Sequence, residues 1–274
     1  METAPDQPYI VDPNNGEKRI LSCLPTEPAM KAAFAPYQAR RPAIPYSEVG
    51  PFDRWKNFGY KIKDQNGKGA CMGHAATTGL EIAYRLAYGR WKWFSAWFCY
   101  GTINGGRDGG ATVGDAFRSV QENGVCPEDM VPYAEHRISR MSAEAKAAAK
   151  LYRAEQVYRI ETESDLFTAV VLGDPVAFGT MIGGGFSRVD SEGVPGGGFI
   201  GGGGHAMAIY GGYKIINGVR HYRVPNSWGT SYGIEGCCFM TWEMIAGTRF
   251  GPDLYAVINL IPTPDGEHRP SRVA

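Results

Sequence analysis

The hydrophobic period of this 274-residue chain changes near residue 156, and that change limits the fold more than any other feature. Upstream, Ala75, Ala76, Leu80, Ala83 and Leu86 recur at helical spacing, which predicts an amphipathic helix over 72–86 that starts at or just before Cys71. Further helices are predicted over 92–100, over 114–123 with Gly124 as the stop, over the Ala-rich stretch 142–155, and briefly over 27–34. Downstream, short β-branched and aromatic runs at 157–160, 176–181, 207–213 and 222–224 read as strands, and Asn217-Gly218 between two such runs is a two-residue hairpin signal. Helices first and strands second predict an α+β molecule of two lobes with a cleft between them. The expected division is an N-terminal extension over 1–43, a helical lobe over 44–155, a β-rich lobe over 156–262 and a tail over 263–274.

Charge narrows the function classes. Lys plus Arg number 28 and Asp plus Glu number 28, so the balance offers no argument for nucleic acid or membrane as a partner. No stretch approaches the roughly 18 apolar residues of a membrane span, and the N-terminus lacks the basic start and apolar run of a secretory signal. The six cysteines, Cys23, Cys71, Cys99, Cys126, Cys237 and Cys238, contain no Cys-x-x-Cys pair, and a reducing cytoplasm is the expected compartment. No metal or other cofactor is expected, because vicinal Cys237 and Cys238 lack partners at zinc-ligand spacing. They are expected as one inward and one outward thiol on a strand; Cys99 and Cys126 read as core thiols, with a bridge between them left open. A monomer is expected.

The chemistry concentrates in four residues. A thiolate is the reactive form of cysteine, and Cys71 at a helix N-terminus would be favoured as the anion by unpaired N–H groups and aligned peptide dipoles. His205, within Gly-His-Ala-Met-Ala on the second lobe, can take up and return the thiol proton, and Asn226 can hold its ring in orientation. Gln65 can donate an amide N–H to a developing oxyanion. His74, one turn after Cys71, is either a second titrating group beside the sulfur or an interface residue hydrogen-bonded away from it, the latter being favoured. Residues 183–204 hold eleven glycines and lead directly into His205, as a surface loop or a movable rim over the cleft.

These blocks carry a resemblance. Asp64-Gln65-Asn66-Gly67-Lys68-Gly69-Ala70-Cys71, Gly204-His205-Ala206-Met207-Ala208 and Asn226-Ser227-Trp228-Gly229-Thr230 are similar to the signature blocks of papain-like cysteine peptidases. Weaker echoes are Ile44-Pro45, Phe94-Ser95, Asp108-Gly109-Gly110 and Pro132-Tyr133, so the similarity runs over about 44–260. It implies a helical lobe, a β-barrel-like lobe, and a peptidase acting on peptides or proteins through an acyl-enzyme thioester. In that family's pattern the Gln65 side chain and the Cys71 N–H form the oxyanion hole, and Trp228 shields the Asn226–His205 hydrogen bond. Gly69, Gly109 and Gly110 border the bound peptide. Departures are Met72 after the nucleophile, Lys68 at a common disulfide position, Gly204 before the histidine and Pro225 before the asparagine. A thiol amidase or acyltransferase and an inactive binding protein are the competing readings. Residues 1–43 are short for the family's helical inhibitory segment, and modest self-inhibition is expected.

Overall fold

A computed structural model describes residues 7–197 and 202–260. In chain order its elements are β1 (Tyr9–Val11), β2 (Lys18–Ile20), β3 (Cys23–Leu24), α1 (Pro28–Ala32), β4 (Ala35–Pro36), β5 (Phe52–Asp53), α2 (Cys71–Tyr88), α3 (Ala96–Asn104), β6 (Ala111–Thr112), α4 (Val113–Glu122) and α5 (Ala143–Ala149). They are followed by β7 (Ala154–Ile160), α6 (Glu163–Leu172), β8 (Val176–Ile182), β9 (Gly203–Ile209), β10 (Gly212–Ile216), β11 (Val219–Pro225), β12 (Cys237–Met240), α7 (Trp242–Ala246) and β13 (Leu254–Leu260). The class is α+β.

Helix α2 is the axis of the molecule. Its first fourteen residues are all buried, and it packs against α3, α4 and the strands β8, β9 and β13. Gly73 permits the approach of α3, since a Cβ there would sit 2.4 Å from the Ala96 carbonyl oxygen. A buried ion pair fixes the middle of the helix: Lys63 meets Glu81 at 2.5 Å, and Glu81 also accepts from the Tyr60 hydroxyl and the Phe94 N–H. The helix ends at Gly89, whose φ of 72° is the left-handed geometry of a C-cap.

Two helix boundaries differ from those predicted. The helix expected over 92–100 starts at Ala96, because the Ser95 hydroxyl caps Phe98 while Phe94 stays extended to reach Glu81. The helix expected over 142–155 stops at Ala149, because residues from Ala154 onward pair with β13, Val157 opposite Val257. Ladder pairing there overrides the helix propensity of an Ala-rich stretch.

The expected strand over 207–213 divides into β9 and β10 at Gly211 and Gly212, with φ of 97° and 132°. That bend separates a five-stranded sheet, β4-β7-β13-β8-β9, from a four-stranded one, β12-β11-β10-β5. Both are open, so two sheets stand where a barrel-like lobe was expected. Asn217 and Gly218, with φ of 49° and 79°, make the tight turn between β10 and β11 that their sequence signals.

The N-terminal residues join this core. Leu21, Ser22, Cys23, Thr26, Phe34 and Tyr37 are buried, Phe34 stacks edge-on against Tyr255 at 4.9 Å, and the Tyr37 hydroxyl donates to Asp174 at 2.7 Å. All six cysteines are buried free thiols, so Cys99 and Cys126 are not bridged. Cys237 and Cys238 are both buried, because β12 is covered on both faces; neither thiol points outward. Among the described residues no helix is long and apolar enough to cross a membrane.

Candidate active site

Cys71 is the first residue of α2, preceded by Ala70, which offers no side-chain cap. No side chain therefore caps the first-turn N–H groups, and that of Met72 acts on the sulfur. His205 lies on β9, in register with Thr180 of β8, and Asn226 follows β11. The two lobes are fastened just ahead of the cysteine: Gln65 N–H donates to Ser227 O at 2.9 Å, and Gly229 N–H donates to Lys63 O at 3.0 Å.

The His205 ring nitrogen Nε2 is 2.8 Å from Asn226 Oδ1. Nδ1 has no partner among the described residues and remains available to a thiol proton. Trp228 lies against the pair, its ring centroid 5.0 Å from that of His205, and both residues are fully buried. Phe186 closes the other side, 6.0 Å from His205 and 5.5 Å from Trp228. Part of the glycine-rich stretch is therefore anchored by a buried aromatic; residues 198–201 of it lie outside the described residues. The Gln65 side chain is oriented by the Ser227 hydroxyl, which donates to its Oε1 at 2.8 Å.

A strap of N-terminal residues runs over these groups. β3 pairs in parallel with β6, Cys23 opposite Ala111, directly after Gly109 and Gly110. The Ser22 carbonyl presses on Gly110, where a Cβ would come within 2.2 Å of it, and the Ser22 hydroxyl donates to Gly69 O at 2.8 Å. Gly109 is exposed with open space beside it, so only Gly69 and Gly110 of the three glycines meet the strap. Gln65 Nε2 donates to Lys68 O at 2.7 Å and lies 3.5 Å from Ile20 O of the strap. Arg19 anchors the whole. Its guanidinium is fully buried, paired with Asp12 at 3.0 Å and Asp64 at 2.6 Å, and it donates to Trp228 O at 3.2 Å.

Burial sets the electrostatics. Burial pushes the Cys71 thiol up to about 11, outweighing the N–H groups of Ala206 and Met72 and the groups of Ser22 that favour the thiolate. Burial also takes His205 down to about 4; the Asn226 hydrogen bond acts against this, and the charge of Arg19 adds to it. In the full chain at neutral pH both groups are thus uncharged. His74 is buried with an edge-on contact to Trp97 at 5.3 Å, and burial takes it down to about 3. Neither of its ring nitrogens has a partner among the described residues, so it is not the hydrogen-bonded interface residue favoured from sequence.

The structure places Asn226 and Trp228 against His205, Gln65 against Ser227 of the same block, and Cys71 beside Ser22 of the strap. Arg19 and Ser22 carry no signal in their short mixed context, and neither does Asp108, whose carboxylate accepts from Gly69 N–H at 3.0 Å and the Tyr100 hydroxyl at 2.7 Å.

Residues 52–246 match the family model described as papain family cysteine protease. The cysteine protease Amb a 11.0101 of Ambrosia artemisiifolia is 30% identical over 185 residues, covering 67% of this chain and 47% of that protein. Cathepsin K of Gallus gallus is 28% identical over 202 residues, covering 69% of this chain and 58% of its own length. The chain spans about half the length of the curated relatives it matches. Xylellain, a cysteine protease from Xylella fastidiosa, superposes with a TM-score of 0.65 at 22% identity, over 94% of this chain and 98% of xylellain.

Proposed function

Because this chain belongs to the papain family of cysteine proteases, we propose that it hydrolyses peptide bonds with Cys71 as nucleophile, and that the strap over residues 7–24 holds it latent. The observation that carries the reading is the Asn226–His205 hydrogen bond at 2.8 Å, made through Nε2 beneath Trp228, which leaves Nδ1 for the thiol. Once the strap leaves, water and the helix N-terminus favour the thiolate, and His205 regains a proton. The sulfur attacks the acyl carbon, and the oxygen takes the charge between Gln65 Nε2 and the Cys71 N–H. The His205 proton then goes to the departing amine, giving a thioester and a free amino terminus. Water attacks the thioester, His205 takes its proton, and the acid and thiolate are regenerated.

Latency follows from register. The oxyanion donor Gln65 addresses the Ile20 carbonyl, while the sulfur is approached by Ser22, two residues further on. The strap groups that approach the oxyanion donor and the sulfur thus belong to different residues, and this offset is our reason for reading the strap as held without being cut. Self-inhibition in this reading is strong, unlike the modest effect expected from the length of the extension. A reducing compartment suits six unpaired thiols, and we propose one for this chain.

The test is hydrolysis of an unstructured protein such as casein by the full chain, before and after brief exposure to pH ~4.5. Cys71→Ser and His205→Ala serve as controls. Activity that appears after acid and is absent from both variants supports the reading. Hydrolysis that persists in Cys71→Ser, or none from wild type under any condition that makes Cys71 alkylatable, refutes it.

A further inference from the structure

The strap side chain of Cys23 fills a pocket whose floor carries a charge. A Cβ on Gly179 would lie 2.9 Å from Cys23 Sγ, 3.2 Å from Val113 Cγ2 and 3.5 Å from Asp253 Oδ2. The absent side chain at Gly179 is what gives the pocket its depth. Gly204, next to His205, forms the wall nearest the catalytic groups: a Cβ there would meet the Cys23 carbonyl at 1.9 Å and Phe250 at 2.7 Å. Asp253 itself is 1% exposed.

The partners of that carboxylate are informative. Oδ1 accepts from the Tyr255 hydroxyl at 3.0 Å and lies 3.7 Å from Lys31 Nζ. Among the described residues Oδ2, on the pocket side, accepts only from the Thr26 N–H at 3.0 Å, three residues past Cys23. Lys31 is held mainly by the carbonyl oxygens of Phe250 and Pro252, at 3.2 and 3.0 Å. When Cys23 withdraws, an apolar-walled pocket beside the nucleophile is left with a carboxylate oxygen at its floor. A buried carboxylate is stable only with a donor, and preferably a cation, against it.

We propose that Asp253 is the specificity-determining residue of the unlatched enzyme, and that the Cys23 pocket selects substrates with a lysine or arginine side chain. This rests on the peptidase reading above and names the substrate class for the same site. The apolar walls accept the methylene stem, and the guanidinium or ammonium pairs with Oδ2.

The test labels the full chain with irreversible peptidyl acyloxymethyl ketones, followed by intact mass. One residue at a time among the three preceding the electrophile is set to arginine, lysine, citrulline or leucine. Strap opening is common to every probe and cancels in their ratios. At one of the three positions arginine is expected to label Cys71 roughly 30-fold faster than citrulline, its neutral isostere, the range of a charged hydrogen bond. Asp253→Asn should bring that ratio to about one, and Asp253→Glu should keep part of it. Equal rates for arginine, citrulline and leucine at all three positions overturn this inference and leave the peptidase reading standing. An arginine preference that survives in Asp253→Asn assigns selection elsewhere and also overturns it. No labelling by any probe, in a chain whose Cys71 reacts with iodoacetamide after mild acid, removes the peptidase reading itself.

Discussion

Replacing Arg19 by methionine should convert the latent chain into an open one. The guanidinium is fully buried, and its partner Asp12 is 1% exposed, so the substitution leaves a buried carboxylate without its counter-charge. Breaking one side of such a pair costs about 3–5 kcal/mol. Asp64 and the Trp228 carbonyl also lose a donor, but Asp64 reaches solvent and can rehydrate. Since about 1.4 kcal/mol is a factor of ten, the open fraction should rise by about 10²- to 4 × 10³-fold. The assay is the iodoacetamide alkylation rate of Cys71 at pH 7, with unfolding followed by circular dichroism to show that the body stays folded. When opening precedes alkylation, the rate rises with the open population until it reaches that of a free site. Arg19→Met should also relieve His205 of the nearby positive charge that opposes its protonation. The double variant Asp12→Asn/Arg19→Met, which removes the stranded carboxylate, should be slower to label than the single one. If Arg19→Met remains folded and labels no faster than wild type, the strap is not held by this ion pair and does not keep the chain latent.

Three further outcomes are expected. Gly204→Ala places a Cβ 1.9 Å from the strap carbonyl of Cys23 without a positive φ to strain the backbone, so casein hydrolysis by the full chain should begin without acid treatment. His205 and His74 are neutral in the folded chain, taken down to about 4 and about 3, whereas unfolded histidines titrate near 6.5. The unfolded or unlatched state therefore binds more protons below that value, and stability present above pH ~6.5 is lost as pH falls toward 4. His205 alone accounts for a loss on the order of 2 kcal/mol by pH 5, and thermal melts should show Tm lower by several degrees at pH 5 than at pH 7. Glu81→Ala removes the buried partner of Lys63, which keeps Glu128 at 3.3 Å and the Phe94 carbonyl, and also leaves the Phe94 N–H without its acceptor; it should cost about 3 kcal/mol, read as a lower urea midpoint with an unchanged slope.

The sequence by itself determined the parts that depend on local chemistry and period. Helical spacing placed Cys71 at the head of α2, Asn217-Gly218 specified a turn needing two positive φ values, and the Asn226 block carried its recognisable neighbours. Tertiary structure alone decided where the Ala-rich helix gives way to β7, because a strand's partner can lie a hundred residues away and outbids propensity. It alone also showed the strap. Arg19, Ser22 and Cys23 lie in a short mixed segment with no helical or strand periodicity long enough to read, and their effect comes from what they cover. A thiol and an imidazole that the motif presents as an ion pair are each pushed toward the neutral form by burial, which no local sequence pattern expresses.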